Sequence, residues 1–274
     1  MFRLLIAATL AMSMAAMVSA VVSTFDINDE GWTITGDAQG SSVLPTYHAT
    51  GGNPGGYISA TDNVQGGVWY FKAADAFHGD RNASYNAHLA FDLRQSSLNS
   101  QFNAVDIYLR GAEMELTYDT PNNPGTTWTA YSILLTETAG WKLGAVAPTQ
   151  VQMLQVLANV TDLQIRGEFV TGADTGSLDN AQFTHPHPGD ANNDGAVNVG
   201  DLGIVAAVWM QGGRKYWRDG DFTGDGIINV GDLGVLAFNW GWTGSPASPS
   251  PVPEPAGLLL LATGGWAALR RRRT

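Results

Sequence analysis

The chain has 274 residues, of which 33 are glycine and none cysteine, and its 14 Lys and Arg against 25 Asp and Glu give a net charge of −11. That balance excludes a phosphate-binding surface, which sets nucleic acid aside as a partner, and the lack of cysteine excludes disulfide stapling. Charged residues make up only 14%, which together with the glycines suits turn-rich β structure better than long surface helices.

At the N-terminus, Met1-Phe2-Arg3 is followed by an apolar run from Leu4 to Val18 and then by Ser19-Ala20. A cation, an apolar core and small residues before the cut read as a secretory signal over residues 1–20, which predicts export. A buried first helix is the alternative.

Residues 21–184 hold turn-separated runs with strand alternation. Leu89, Phe91 and Leu93 alternate with His88, Asp92 and Arg94; Val105, Ile107 and Leu109 with Asp106, Tyr108 and Arg110. Met114, Leu116 and Tyr118 alternate with Glu113, Glu115 and Thr117; Leu163, Ile165 and Phe169 with Gln164, Arg166 and Glu168. One helix is predicted from Gln150 to Leu157, capped by Thr149. Half-buried strands with one short helix predict an antiparallel β-sandwich.

The order of motifs in this region resembles the laminin IV (laminin B) domain. The residues that carry the resemblance are Phe25-Asp26, Glu30-Gly31-Trp32, Gly51-Gly52-Asn53-Pro54-Gly55-Gly56-Tyr57-Ile58, Trp69-Tyr70-Phe71, Phe91-Asp92-Leu93 and Gly176-Ser177-Leu178-Asp179-Asn180. The resemblance implies a jelly roll of the galactose-binding type. It also implies a structural Ca²⁺ where the chain ends meet, for which Asp26, Glu30 and Asp179 are the candidates. On the polar strand faces, Asp92, Arg94, Asp106, Tyr108, Arg110 and Arg166 offer charge-assisted hydrogen bonds to sugar hydroxyls, with Trp69 or Tyr70 to stack on a pyranose. The alternative is a solvated face whose charges pair across strands.

After a linker at 185–188, two stretches repeat one pattern. Asp190, Asn192, Asp194, Asn198 and Asp201 place side-chain oxygens at loop positions 1, 3, 5, 9 and 12, and Asp221, Thr223, Asp225, Asn229 and Asp232 do so again. With the carbonyls of Ala196 and Ile227 at position 7 and glycine at position 6, this spacing wraps a backbone around one Ca²⁺ per loop. Neutral Thr223 makes the second loop the weaker binder. A helical pattern follows each loop: Leu202, Val205, Val208 and Trp209, then Leu233, Leu236 and Trp240. Pro186 and Pro188 preclude an entering helix. Duplicated loop-plus-helix units resemble the type I dockerin module, here over residues 189–242. That resemblance implies a cohesin-type partner, contacted through Val199-Gly200 and Val230-Gly231. A calcium-stabilised spacer is the alternative.

A Ser/Pro linker (243–251) leads to Val252-Pro253-Glu254-Pro255, an apolar run to Leu269 and four arginines. The run spans about 21 Å as a helix, short of a bilayer core of about 30 Å. The segment 252–274 resembles the PEP-CTERM sorting signal. By that resemblance an exosortase recognises Pro253-Glu254-Pro255 during transient inner-membrane association. A short membrane anchor is the alternative.

The fold class expected is mainly β: an antiparallel jelly-roll sandwich followed by a small all-α duplicated calcium-loop domain. The function expected is a non-catalytic, calcium-binding envelope or extracellular-matrix protein that binds glycan or matrix material. A glycoside hydrolase and a purely structural surface protein are the competing classes. Glu113 and Glu115, spaced about 7 Å apart as any i, i+2 pair on a strand is, are no evidence for a glycosidase pair. Gly-x-Ser-x-Gly and His-Glu-x-x-His are absent.

Overall fold

The computed structural model describes residues 21–37, 44–62, 66–213 and 215–244. The expected leader, most of the Ser/Pro linker and the Pro253-Glu254-Pro255 tail lie outside the described residues.

Two antiparallel sheets of six strands form the sandwich. Sheet 1 contains β1 (Val21–Ser23), β3 (Thr46–His48), β4 (Tyr57–Asp62), β6 (His88–Gln95), β9 (Thr129–Leu134) and β12 (Asp174–Phe183), ordered β3-β4-β12-β6-β9 with β1 on β12. Sheet 2 contains β2 (Thr33–Thr35), β5 (Tyr70–Lys72), β7 (Ile107–Gly111), β8 (Met114–Tyr118), β10 (Lys142–Leu143) and β11 (Val160–Arg166), ordered β10-β8-β7-β11-β5-β2. The alternating apolar residues do what the period-2 pattern predicts: Leu89, Phe91, Leu93, Ile107, Leu109, Leu116, Leu163 and Ile165 all face one core. An aromatic chain, Phe25 to Trp32 to Phe77 to Phe183, closes one end with centroid spacings of 5.9, 5.1 and 5.9 Å.

Helix α1 (Gln150–Ala158) begins where the Thr149 signal places it, with the Thr149 and Gln152 side chains satisfying each other's backbone amides. Met153, Leu154, Val156 and Leu157 go into the core. Gly111 of β7 lets the helix approach, since a Cβ there would run into the carbonyls of Val156 and Asn159.

Each acidic loop runs into one nine-residue helix, α2 (Val199–Ala207) and α3 (Val230–Phe238). Both have an Asn cap (Asn198, Asn229) whose partner three residues on is an aspartate (Asp201, Asp232). Ala191, Val197, Val205, Phe222, Ile228 and Leu236 make a small second core. The helices end sooner than their apolar pattern predicts. The chain leaves helical geometry at Val208 and takes a left-handed turn at Met210, so Trp209 and Trp240 lie beyond the helices and are exposed. Thr243 and Gly244, placed in the linker by sequence, are pinned to the first loop: Thr243 bridges Ala196, and the Gly244 amide donates to the Gly195 carbonyl at 2.8 Å.

The two cores touch. Tyr216 packs against the sandwich core, the Arg218 guanidinium lies 5.2 Å from the Tyr85 ring, and the Asn193 side chain donates to the Asn86 carbonyl. In the connecting 185–188 segment, His187 stacks on Trp242 at 3.5 Å.

One buried ion pair fastens the 102–106 segment to sheet 2. Arg166 is fully buried; it donates to Asp106 at 3.2 Å and to the carbonyls of Phe102 and Ala104, between the rings of Phe102 and Phe169. Removing one partner of such a pair strands the other charge without water. Arg166→Ala is expected to destabilise the fold by about 3–5 kcal/mol in chemical denaturation, against a negligible effect of Lys142→Ala on the exposed edge strand.

Candidate functional site

On the outer face of sheet 1 lies a groove of about 320 Å³, lined by His48, Tyr57, Ser59, Arg94, Gln95, Ser96, Thr126, Thr175 and Ser177. Strand register assembles it: Thr46 lies opposite Ser59, Ser59 opposite Ser177, and Ser177 opposite Arg94. Small serines keep the floor low while longer side chains form the wall. The His48 and Tyr57 rings stack at 4.3 Å, Tyr57 meets Trp128 edge-on at 5.4 Å, and the Arg94 guanidinium lies 4.9 Å from the Tyr57 ring and 4.5 Å from the Trp128 ring. Hydrogen bonds fix the rings: Trp128 donates to the Gly51 carbonyl at 3.0 Å, and His48 Nε2 lies 2.8 Å from Ser59 Oγ. His48, Tyr57, Arg94 and Trp128 are all half-buried.

Arg94 is the expected glycan-face residue that falls in this groove. Asp92 shares its strand face but is buried, accepting from the side-chain amides of Asn53 and Asn180. Tyr70, Tyr108 and Arg110 belong to sheet 2, on the opposite side of the sandwich. There Tyr70 donates to the Val105 carbonyl, and Arg110 pairs with Glu115 and Asp162 while lying over Tyr108. That face is the charge-paired surface given as the alternative. Trp69 is 0% exposed, packed against Gly167 and Gly176, so it stacks on no sugar. Asp106 and Arg166 are buried on each other. The eight residues therefore form no single face, because alternation separates inward from outward but does not say which sheet a strand joins. Tyr57, His48 and Trp128 were missed. Their signal was an aromatic in polar, glycine-rich surroundings, as in Gly125-Thr126-Thr127-Trp128-Thr129.

Residues 70–199 match the family model described as Laminin B (Domain IV). Over that span the sandwich is laminin IV-like. Laminin subunit gamma-1 of Xenopus tropicalis is 28% identical over 158 residues, which is 56% of this chain but only 9% of that protein. Among solved structures, the L4b domain of human laminin alpha-2 superposes with a TM-score of 0.48 at 13% identity, covering 61% of this chain and 98% of that one. The family 11 carbohydrate-binding module of the cellulosomal cellulase Lic26A-Cel5E of Clostridium thermocellum superposes with a TM-score of 0.41 at 12% identity, covering 62% and 96%. The laminin-type match begins at β5 and ends where α2 begins.

Asp26 and Asp179 of the laminin IV-like sandwich border one loop, Asp26 accepting from the Gly56 amide at 3.3 Å and Asp179 from the Asn53 amide at 2.6 Å. Burial, with Asp92 and Asp26 nearby, pushes the Asp179 carboxyl up to about 6. Glu30 Oε1 accepts from the Phe25 amide at 2.7 Å. Of the pair Glu113 and Glu115, Glu113 lies in the left-handed β7–β8 turn and Glu115 is paired with Arg110.

In the acidic loops, Asp190, Asp201, Asp221 and Asp232 are buried. Asp190 accepts from the amides of Asp194 and Gly195, and Asp221 from those of Gly224, Asp225 and Gly226. Gly195 and Gly226 turn at φ of 83° and 85°, where a side chain would be strained. Carboxylate oxygens of Asp221, Asp225 and Asp232 lie within 4.8 Å of one another. Burial first, and then the neighbouring carboxylates, raise the carboxyls of both Asp190 and Asp221. An all-oxygen cradle of three carboxylates fits a hard divalent cation. Thr223 Oγ1 donates to Asp232 at 3.0 Å.

A separate group of carboxylates crowds one end of the sandwich. Asp62 and Asp174 are register partners on β4 and β12, with Glu168 and Asp37 near. Burial, then Asp62 and Asp37, push Glu168 up to about 7, and burial with Asp62 pushes Asp174 up to about 6. A raised carboxyl stays protonated in the folded chain while the unfolded chain ionises, so its contribution falls as pH rises from the unfolded value through the folded one. Glu168→Gln is therefore expected to melt above the parent at pH 8, with the gap shrinking towards pH 4 in parallel thermal scans.

Proposed function

We propose that this protein is a non-catalytic component of a cell envelope or extracellular matrix that binds glycan through the groove on sheet 1 and holds Ca²⁺ in its two acidic loops. The groove carries the reading. The ring edges of Tyr57 and of neighbouring Trp128 offer apolar area to a pyranose, while Ser59, Ser177, Thr175 and Arg94 offer hydroxyl and N–H partners. The laminin-type match supports a place outside the cell. Trp128→Ala and Tyr57→Ala are each expected to weaken retention on immobilised polysaccharide by about tenfold without changing the far-ultraviolet circular dichroism. Unchanged retention in both would remove the groove from consideration.

In the loops, Ca²⁺ would be held by Asp190, Asn192, Asp194, Ala196, Asn198 and Asp201, and by Asp221, Thr223, Asp225, Ile227, Asn229 and Asp232. When bound it ties the ends of each loop together and offsets carboxylate repulsion, thereby steadying α2 and α3. Val199 and Val230 are 73% and 76% exposed at the helix starts, beside Gly200 and Gly231, where a cohesin-type partner would dock. Export by a cleaved leader and exosortase sorting at Pro253-Glu254-Pro255 complete the proposal. Calorimetric titration is expected to resolve two unequal calcium sites, with Thr223→Asp tightening the weaker one; two equal sites in the parent would contradict the assigned role of Thr223.

A further inference from the structure

The groove has a charge character unlike the chain around it. None of its lining residues is a carboxylate, in a protein with a net charge of −11. Its cation, Arg94, contacts the faces of Tyr57 and Trp128 and forms no ion pair among the described residues. By contrast, Arg110 pairs with Glu115 and Asp162, Arg166 with Asp106, and Lys72 with Asp162. The nearest acids on the same sheet face are Asp92 and Asp179, one register pair along from Arg94 and Ser177. Both oxygens of Asp179 and Oδ2 of Asp92 already accept from Asn53 and Asn180.

The Arg94 guanidinium lies over two rings set at 78° to each other, and no hydrogen bond or ion pair among the described residues takes its N–H edge. That edge is a planar fork matched to two oxygens of one anionic group. A neutral sugar hydroxyl would use one arm of the fork and leave the charge uncompensated in a half-buried groove. A carboxylate or sulfate on a sugar ring uses both arms, and no groove carboxylate repels it.

Resting on the glycan-binding reading above, we infer that the groove selects acidic saccharides, with Arg94 pairing the anionic substituent while the edges of Tyr57 and Trp128 border the sugar ring.

The test compares the full mature chain, calcium-loaded at one fixed free concentration, against a polyuronate, a sulfated polysaccharide and a neutral glucan by affinity electrophoresis. The expected result is at least about tenfold tighter binding to an acidic polymer than to the neutral one, weakening as sodium chloride rises. The polyuronate and sulfated arms tell which anion is preferred. Arg94→Gln should abolish the preference, Arg94→Lys should restore part of it, and Arg110→Gln on the opposite sheet should leave it intact. Equal or tighter binding to the neutral glucan, or a preference that survives Arg94→Gln, overturns this inference and leaves glycan binding standing. Binding to none of the three overturns both.

Discussion

Strand β12 is the constraint on which the sandwich depends. Along one edge it pairs with β6; along the other it pairs with β4 near its start and β1 near its end. The ladder therefore sets the register of sheet 1 and, through it, places Ser177 between Ser59 and Arg94. A one-residue slip would turn Leu178 outward and Ser177 into the core. The irregularity between Asp179 and Gln182 lets Asn180 adopt a left-handed turn and reach back to Asn53 and Asp92. The same strand thus builds the groove floor and anchors the glycine-rich loop at one end of it.

Buried charge follows two different arrangements in this molecule. Arg166 and Asp106 neutralise each other and bind a covering segment to sheet 2. The carboxylates of the acidic loops and of the Asp62–Asp174–Glu168 group instead face their own kind. The loop carboxylates are lined with backbone amides, whose partial positive charge favours ionisation. Glu168 has one such amide, from Trp69, and burial with Asp62 and Asp37 nearby raises its carboxyl.

What could be read from sequence was what is local. The α1 start needs only Thr149 and Gln152, and each acidic loop closes within twelve residues through its own amides and carboxylates. Inward and outward positions on β6, β7 and β11 were equally legible from alternation. The groove was not, because His48, Tyr57, Arg94 and Trp128 come from four separate segments joined only by strand order. Arg166 misled for a related reason. It has outward parity on β11, but the distant 102–106 segment covers it. The tryptophans show the same limit: Trp69 lies within an apolar run and is core, whereas Trp128 stands among threonines and glycine and packs edge-on to Tyr57 beside the groove.

The seam between the two cores has a mechanical consequence. Because Tyr216, Arg218 and Asn193 rest on the sandwich and His187 is clamped on Trp242, the short 185–188 segment works as an elbow rather than a tether. A partner gripping α2 or α3 would hold the groove at a set bearing. Tension along such an attachment would load the seam before it straightened the chain.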